Sequence, residues 1–337
     1  MTGLQTVWGW QPALYLFLGG MGAGAFIMTA LLYFQDRTRN AHVVCVSSWA
    51  AAISLIVGLL LLLSELTNPL RGMMLWQSFS HFTSWMTFGA WAVFVAVVVF
   101  GLMALLSTTG IRRLFARPRG SSAEGGNASS AAAGEPKAPA GVEKTRSFLA
   151  GLGIALGVVV AVYTGILLMS APGVPLWNTS VLPLLFTVSA FDTGIALVEI
   201  IAIASKRGVA EPSSRFMQRS VVVLVAVELL VLAVFLGMMP GFDAATGAGA
   251  CARASASTMI SGGLAAPFWI LVVVCGLALP LAAALLLLTK KAKGGMGHVL
   301  LMVGASGALL GGCALRFLVL AAGSHIDVVA QTVSMLL

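Results

Sequence analysis

Apolar residues fill the chain in eight long runs, at about 12–34, 41–64, 84–106, 147–170, 180–204, 219–239, 264–289 and 297–322. Each run is of the order of the roughly 20 residues that an α-helix needs to cross a bilayer. Inside the hydrocarbon every backbone N–H and C=O must be satisfied within the segment, so runs of this length predict helices. The pattern therefore predicts an all-α polytopic membrane protein with eight transmembrane helices.

Two stretches break the pattern. Residues 116–144, "ARPRGSSAEGGNASSAAAGEPKAPAGVEK", are rich in Gly, Ser, Ala and Pro and carry no aromatic residue. That composition predicts a disordered linker. The chain then divides into helices 1–3 (1–115), the linker (116–146), helices 4–8 (147–322) and a C-terminal tail (323–337). Residues 240–263 are also small and polar, and are expected to drape over a neighbouring span.

Composition agrees, with 59% hydrophobic residues, 9% charged and a mean hydropathy of +1.00. A soluble domain carries about 25% charged residues. The net charge of +8 does not point to nucleic acid, because the basic residues sort by loop. Sixteen of the nineteen Lys and Arg fall in loops 35–40, 107–146, 205–219 and 290–296. The positive-inside rule places those loops in the cytoplasm, and so both termini and the C-terminal tail outside. The start "MTGLQTVWGWQPALYLF" has no basic n-region and does not read as a cleavable signal peptide.

The glycines of "LGGMGAGAF" (Leu18 to Phe26) lie inside an apolar helix with no preceding strand, which argues against a nucleotide-binding loop. Gly20 and Gly24 read instead as a close helix–helix contact. Cys45, Cys251, Cys275 and Cys313 show no CxxC pairing and do not supply an iron–sulfur cluster, and no metal site is expected. His42, His81, His298 and His325 lie at span ends or outside them, so no haem is expected either.

Ionisable groups within spans are costly and mark function. Gln11 and Tyr15 begin the first span, and Glu65 ends the second. Asn68, Arg71 and His81 follow it, while Tyr163 and Arg316 lie one to two turns from the outer ends of their spans. Together they form an outer polar layer. Each also has a plainer reading: Tyr15, Trp76 and Trp85 as interfacial aromatics, Glu65 and Arg71 as a local ion pair, His81 as a solvated loop residue. Deeper, Asp192 and Glu228 fall near the midplane. Glu199 is seven residues after Asp192, nearly on the same helical face. These three carboxyls are a candidate proton pathway, or structural partners for a helix end or Arg316.

Several of these residues sit in recognisable blocks. "WGWQPALYLFLGGMGAGAF" from Trp8, "SELTNPLR" from Ser64, "SWMTFGAW" from Ser84, "YTGILLMSAPGVPLWNTSVLPLLFTVSAFDTG" from Tyr163 and "ALRFLVLAAG" from Ala314 resemble the NrfD/PsrC family. These are the quinone-interacting membrane subunits of polysulfide-reductase-type complexes in the bacterial or archaeal cytoplasmic (inner) membrane. The resemblance implies two four-helix bundles, and electron exchange between quinol and a ferredoxin-like four-cluster iron–sulfur subunit on the outer face. That subunit would connect to a molybdopterin catalytic subunit, with a multihaem cytochrome as the less favoured partner. It also implies a quinone pocket near the outer face, with menaquinone expected before ubiquinone. Tyr163 would be the family's tyrosine and Glu65 its acidic residue. Relatives commonly show Asp-Leu-Gly-x-Pro where this chain has Glu65-Leu66-Thr67-Asn68-Pro69, so the charge survives and the glycine is lost. Gln11 stands in for a polar residue that some relatives contribute from the first span. The alternative is a proton- or ion-coupled secondary transporter built on Asp192, Glu199, Glu228 and Arg316, although no inverted repeat is visible.

Overall fold

A computed structural model describes residues 9–65, 85–109, 140–171, 173–205, 209–243, 246–289 and 295–324; at Glu65 and at residues 85–87 it describes the backbone only. Nine helices run through them: α1 (Trp10–Gln35), α2 (Ala41–Glu65), α3 (Trp85–Ser107), α4 (Ala140–Met169), α5 (Val181–Ala204), α6 (Glu211–Met238), the short α7 (Gly247–Ile260), α8 (Ala265–Leu288) and α9 (Gly295–Ala322). Eight of these, all but α7, are long and apolar enough to cross a membrane, and no strand occurs among the described residues. The expected all-α, eight-span class is what the chain adopts.

Helix ends differ from hydropathy in two informative places. α4 begins at Ala140 and α6 at Glu211, each several residues before its apolar run. Their first turns carry Glu143 and Glu211, acids that suit the positive end of a helix dipole but that hydropathy reads as loop. Pro212 follows Glu211 in the first turn of α6, where its missing N–H costs nothing.

α1 is the most enclosed span, packed against α2, α4 and α5. At its crossing with α5, Gly20 and Gly24 face Ala190, and Gly194 faces Gly24 in return. A Cβ on Gly24 or Gly194 would overlap backbone of the other helix, so these positions need hydrogen as the side chain. The contact expected from the glycine spacing is therefore present. The Phe26 ring of α1 stacks on Phe100 of α3, with centroids 3.7 Å apart and planes 2° from parallel.

α9 packs against α5 and α8, and α8 packs against α6. Trp177, fully buried in the α4–α5 connection, donates its indole N–H to the Val319 carbonyl of α9 at 2.8 Å. The 240–263 segment does cover a neighbour, and does so as a helix. Thr246 caps α7 by accepting from Gly249 N–H at 3.1 Å, and the buried Ser255 hydroxyl lies 2.8 Å from that of Ser324, just past α9. Residues 268–278 of α8 are π-helical, a wider winding that often accompanies functional sites.

Candidate functional site

Two groups of polar side chains lie within the described spans. The first surrounds Tyr163. Its ring lies directly over Gly89 of α3, where any Cβ would collide with the phenol carbons. On the neighbouring α1, Gly19 faces Thr164, so Tyr15, one turn before Gly19, sits at a similar level. α2 follows the same edge, since its Gly58 packs against Tyr15 and Leu18 of α1. Gln11 is half-buried in the first turn of α1. These contacts set Tyr15 and Tyr163 toward one end of the molecule, near the level of Gly58, with Gln11 one turn beyond Tyr15. Asn68, Arg71, His81 and the side chain of Glu65 lie outside the described residues.

Tyr163 is 9% exposed, yet among the described residues no group hydrogen-bonds its hydroxyl. A buried phenol O–H normally finds a partner. This one is held against a glycine, and no described residue takes its donor.

The second group lies among α5, α6, α8 and α9. Arg316 is fully buried, and its guanidinium donates to Ser189 Oγ at 2.9 Å, to the Gly312 carbonyl at 2.8 Å and to the Phe186 carbonyl at 3.3 Å. It also lies over the Phe186 ring, 5.2 Å from its centroid, and 5.8 Å from that of Phe17. Its hydrogen bonds go to neutral oxygens, while the Glu228 carboxyl lies close enough to act on it electrostatically. The sequence reading set Arg316 in the outer polar layer; its hydrogen bonds tie α9 to α5, and it faces Gly20 of α1, next to the Gly19 that faces Thr164.

Ser189 is what the sequence reading missed. Its hydroxyl accepts from Arg316 and also faces the Glu228 carboxyl of α6, so it links the arginine to the carboxyl group. One signal was available: Ser189 is three residues before Asp192, on the same helical face. Ser189, Asp192 and Glu228 together line a tight gap against α8 and α9. Asp192 and Glu199 line a second cavity against α8 and α9, as their seven-residue spacing implied. Asp192, Glu199 and Glu228 are each under 5% exposed, and Asp192 Oδ1 has no hydrogen-bond partner. Among the described residues no group of His, Cys, Asp and Glu is arranged to hold a metal ion.

This geometry gives physical content to the sequence blocks. In "VSAFDTG", Ser189 receives Arg316, Ala190 meets Gly20 and Gly24, Asp192 enters both cavities, and Gly194 closes on α1. In "ALRFLVLAAG", Arg316 reaches α5, and the Val319 carbonyl holds Trp177 over Gly323. Beyond these blocks the likeness extends over the whole length. The family described as polysulphide reductase, NrfD, matches residues 2–328. The chain belongs to the NrfD family. The C subunit of polysulfide reductase from Wolinella succinogenes is 31% identical over 326 residues, with 94% of both proteins covered. Protein NrfD of Escherichia coli is 29% identical over 331 residues, with 94% and 95% covered, and the Haemophilus influenzae homolog is 26% identical over 336. As an NrfD-family protein, the chain is a multi-pass integral membrane subunit.

Proposed function

We propose that this NrfD-family chain is the quinol-oxidising, or quinone-reducing, subunit of a multi-subunit oxidoreductase in the cytoplasmic membrane. The Tyr163 hydroxyl, which no described residue bonds, carries this reading. Quinol oxidation releases two electrons and two protons, so its site needs a hydrogen-bond partner for a ring oxygen, a proton acceptor and apolar walls for the tail. Tyr163 supplies the hydrogen bond, and Gly89 fixes where the phenol stands. Gln11, Tyr15, Glu65, Asn68, Arg71, His81 and Arg316 complete the polar wall, with Glu65 as the proton acceptor. Menaquinone or ubiquinone is the substrate. The electrons pass to a ferredoxin-like iron–sulfur subunit on the outer face and on to a molybdopterin subunit. Both belong outside because the Lys and Arg distribution puts the opposite loops in the cytoplasm.

The deeper group supports a proton path through Glu199, Asp192 and Glu228, ending beside Ser189 and Arg316. Buried carboxyls in a row, two of them lining a cavity with no cation at its wall, are the arrangement that favours this over pairing with Arg316.

Purification of the intact complex in mild detergent tests the reading. The expected result is co-purification of a cluster protein whose EPR signals appear on adding quinol, and loss of that quinol-driven reduction in Tyr163→Phe and Glu65→Gln. A chain that purifies alone and without quinone, with Tyr163→Phe indistinguishable from wild type, would favour the transporter reading of the same carboxyls.

A further inference from the structure

We infer that the cavity between Asp192 and Glu199 is a water-binding chamber, closed off from Glu228 by Ala308, and that its water joins the two carboxyls into one proton-conducting step. The conducting role rests on the proton-path reading above; the water site itself does not. Asp192, whose Oδ1 is buried without a hydrogen-bond partner, lines this cavity. Buried polar atoms are nearly always partnered, and leaving one bare costs roughly 1–3 kcal/mol. The cavity has a volume of about 10 Å³ for a water centre, close to the minimum of roughly 10–15 Å³ that one water requires.

Its walls explain why the space exists. Ala283 and Ala284 of α8, and Gly304, Ala305 and Ala308 of α9, present almost no side chain to it. No Lys, Arg or His lines it, so no resident donor from α6, α8 or α9 satisfies Asp192 in place of water. Seven residues of helix separate the two carboxyl-bearing positions by roughly 10 Å along the axis. A proton passing between them needs an intermediate, and a water with both carboxyls as partners supplies it.

On the other side of Asp192 the picture changes. The gap shared by Ser189, Asp192 and Glu228 has no room for a water centre. Asp192 and Ala308 border both spaces. The wet part of the path therefore stops at Asp192, and the methyl group of Ala308, itself 3% exposed, is the partition beside it.

Filling the chamber tests this in the whole complex. Ala308→Leu places an isopropyl group where the water sits, and Ala308→Val is the milder variant should the larger one fail to assemble. Infrared difference spectra of wild type in ordinary and ¹⁸O-labelled water should show an isotope-sensitive O–H band, lost in either variant and shifted in Asp192→Asn. Reconstituted in vesicles, both variants should keep wild-type quinol turnover while protons moved per electron fall to the Asp192→Asn level. If wild type has no such band, or if the band survives Ala308→Leu, there is no water chamber. If the band behaves as expected but Asp192→Asn leaves the proton ratio unchanged, the water site stands and the proton path falls. If Asp192→Asn lowers the ratio and the filled variants do not, the path stands without the chamber.

Discussion

Two buried tyrosines stand toward opposite ends of the same three packed helices, and their hydroxyls have opposite fates. Tyr33 lies in the last turns of α1, at the basic end of the molecule, and is fully buried. Its hydroxyl donates to Glu143 Oε1 at 2.8 Å and lies 3.3 Å from Ser147 Oγ. The guanidiniums of Arg37 and Arg146 stand over its ring, 4.9 and 4.8 Å from the centroid. Both also pair with Glu143, at 3.3 and 3.2 Å, and Arg146 reaches Ser107 of α3 at 3.3 Å. Tyr163, at the other end of α4, has none of this. The Tyr33 hydroxyl is spent within the protein, and its cluster acts as a clamp on α1, α3 and α4, although Arg146 Nε keeps no partner of its own. A hydroxyl that no described residue bonds keeps its hydrogen bond for something that arrives.

The sharpest way to break this contrast is to remove each hydroxyl. Tyr163→Phe should lower quinol turnover roughly 100-fold, as loss of a positioned proton donor does, while the unfolding midpoint in detergent stays put. A fall in stability with turnover intact would make Tyr163 a second clamp. Gly89→Ala should approach the same loss, roughly 10- to 100-fold, because the new methyl pushes the phenol out of place. Turnover at the wild-type level would show that the position over Gly89 does not matter.

At the clamp the signs reverse. Arg146→Ala removes a guanidinium that is 2% exposed from its carboxylate, and should cost roughly 3 kcal/mol of stability with turnover per folded complex unchanged. Tyr33→Phe leaves the arginines paired and should cost about 1–2 kcal/mol. Chemical denaturation of the purified subunit reads both, and a turnover defect in either would move this cluster into the site.

The smallest effect lies just beyond Tyr33. Asp36 accepts hydrogen bonds from the Arg39 N–H at 3.0 Å and from the Thr38 hydroxyl at 2.9 Å and N–H at 3.0 Å. These hold its carboxyl below the usual carboxylate range. The stabilisation is fully present above the unfolded value of about 4 and is lost as pH falls through the depressed folded value. Asp36→Ala should therefore cost a few tenths of a kcal/mol at neutral pH, and wild type and variant should converge in acid. A difference that persists there would mean the ionised carboxylate is not the source.

Much of this was legible in the residue order. The spans, the Gly20–Gly24 contact and the shared face of Asp192 and Glu199 all follow from period and length. The clamp was not, because Glu143 and Arg146 fall in what hydropathy reads as linker, and Tyr33 is 110 residues from its acceptor. Nor was Ser189, since a lone serine in a span most often bonds its own helix, as Thr193 does to the Ser189 carbonyl.

What the sequence determined by itself was everything governed by one helix at a time: apolar length against bilayer thickness, and spacing against helical face. Partnership was left to the tertiary structure. That Arg316 gives its donors to α5, that Ser189 stands between it and Glu228, and that no described residue bonds the Tyr163 hydroxyl all depend on which helices become neighbours and at what height. Every buried polar atom looks equally costly along a sequence. Only the packing of other helices around it decides whether that cost is already met, as at Tyr33, or left for a substrate, as at Tyr163.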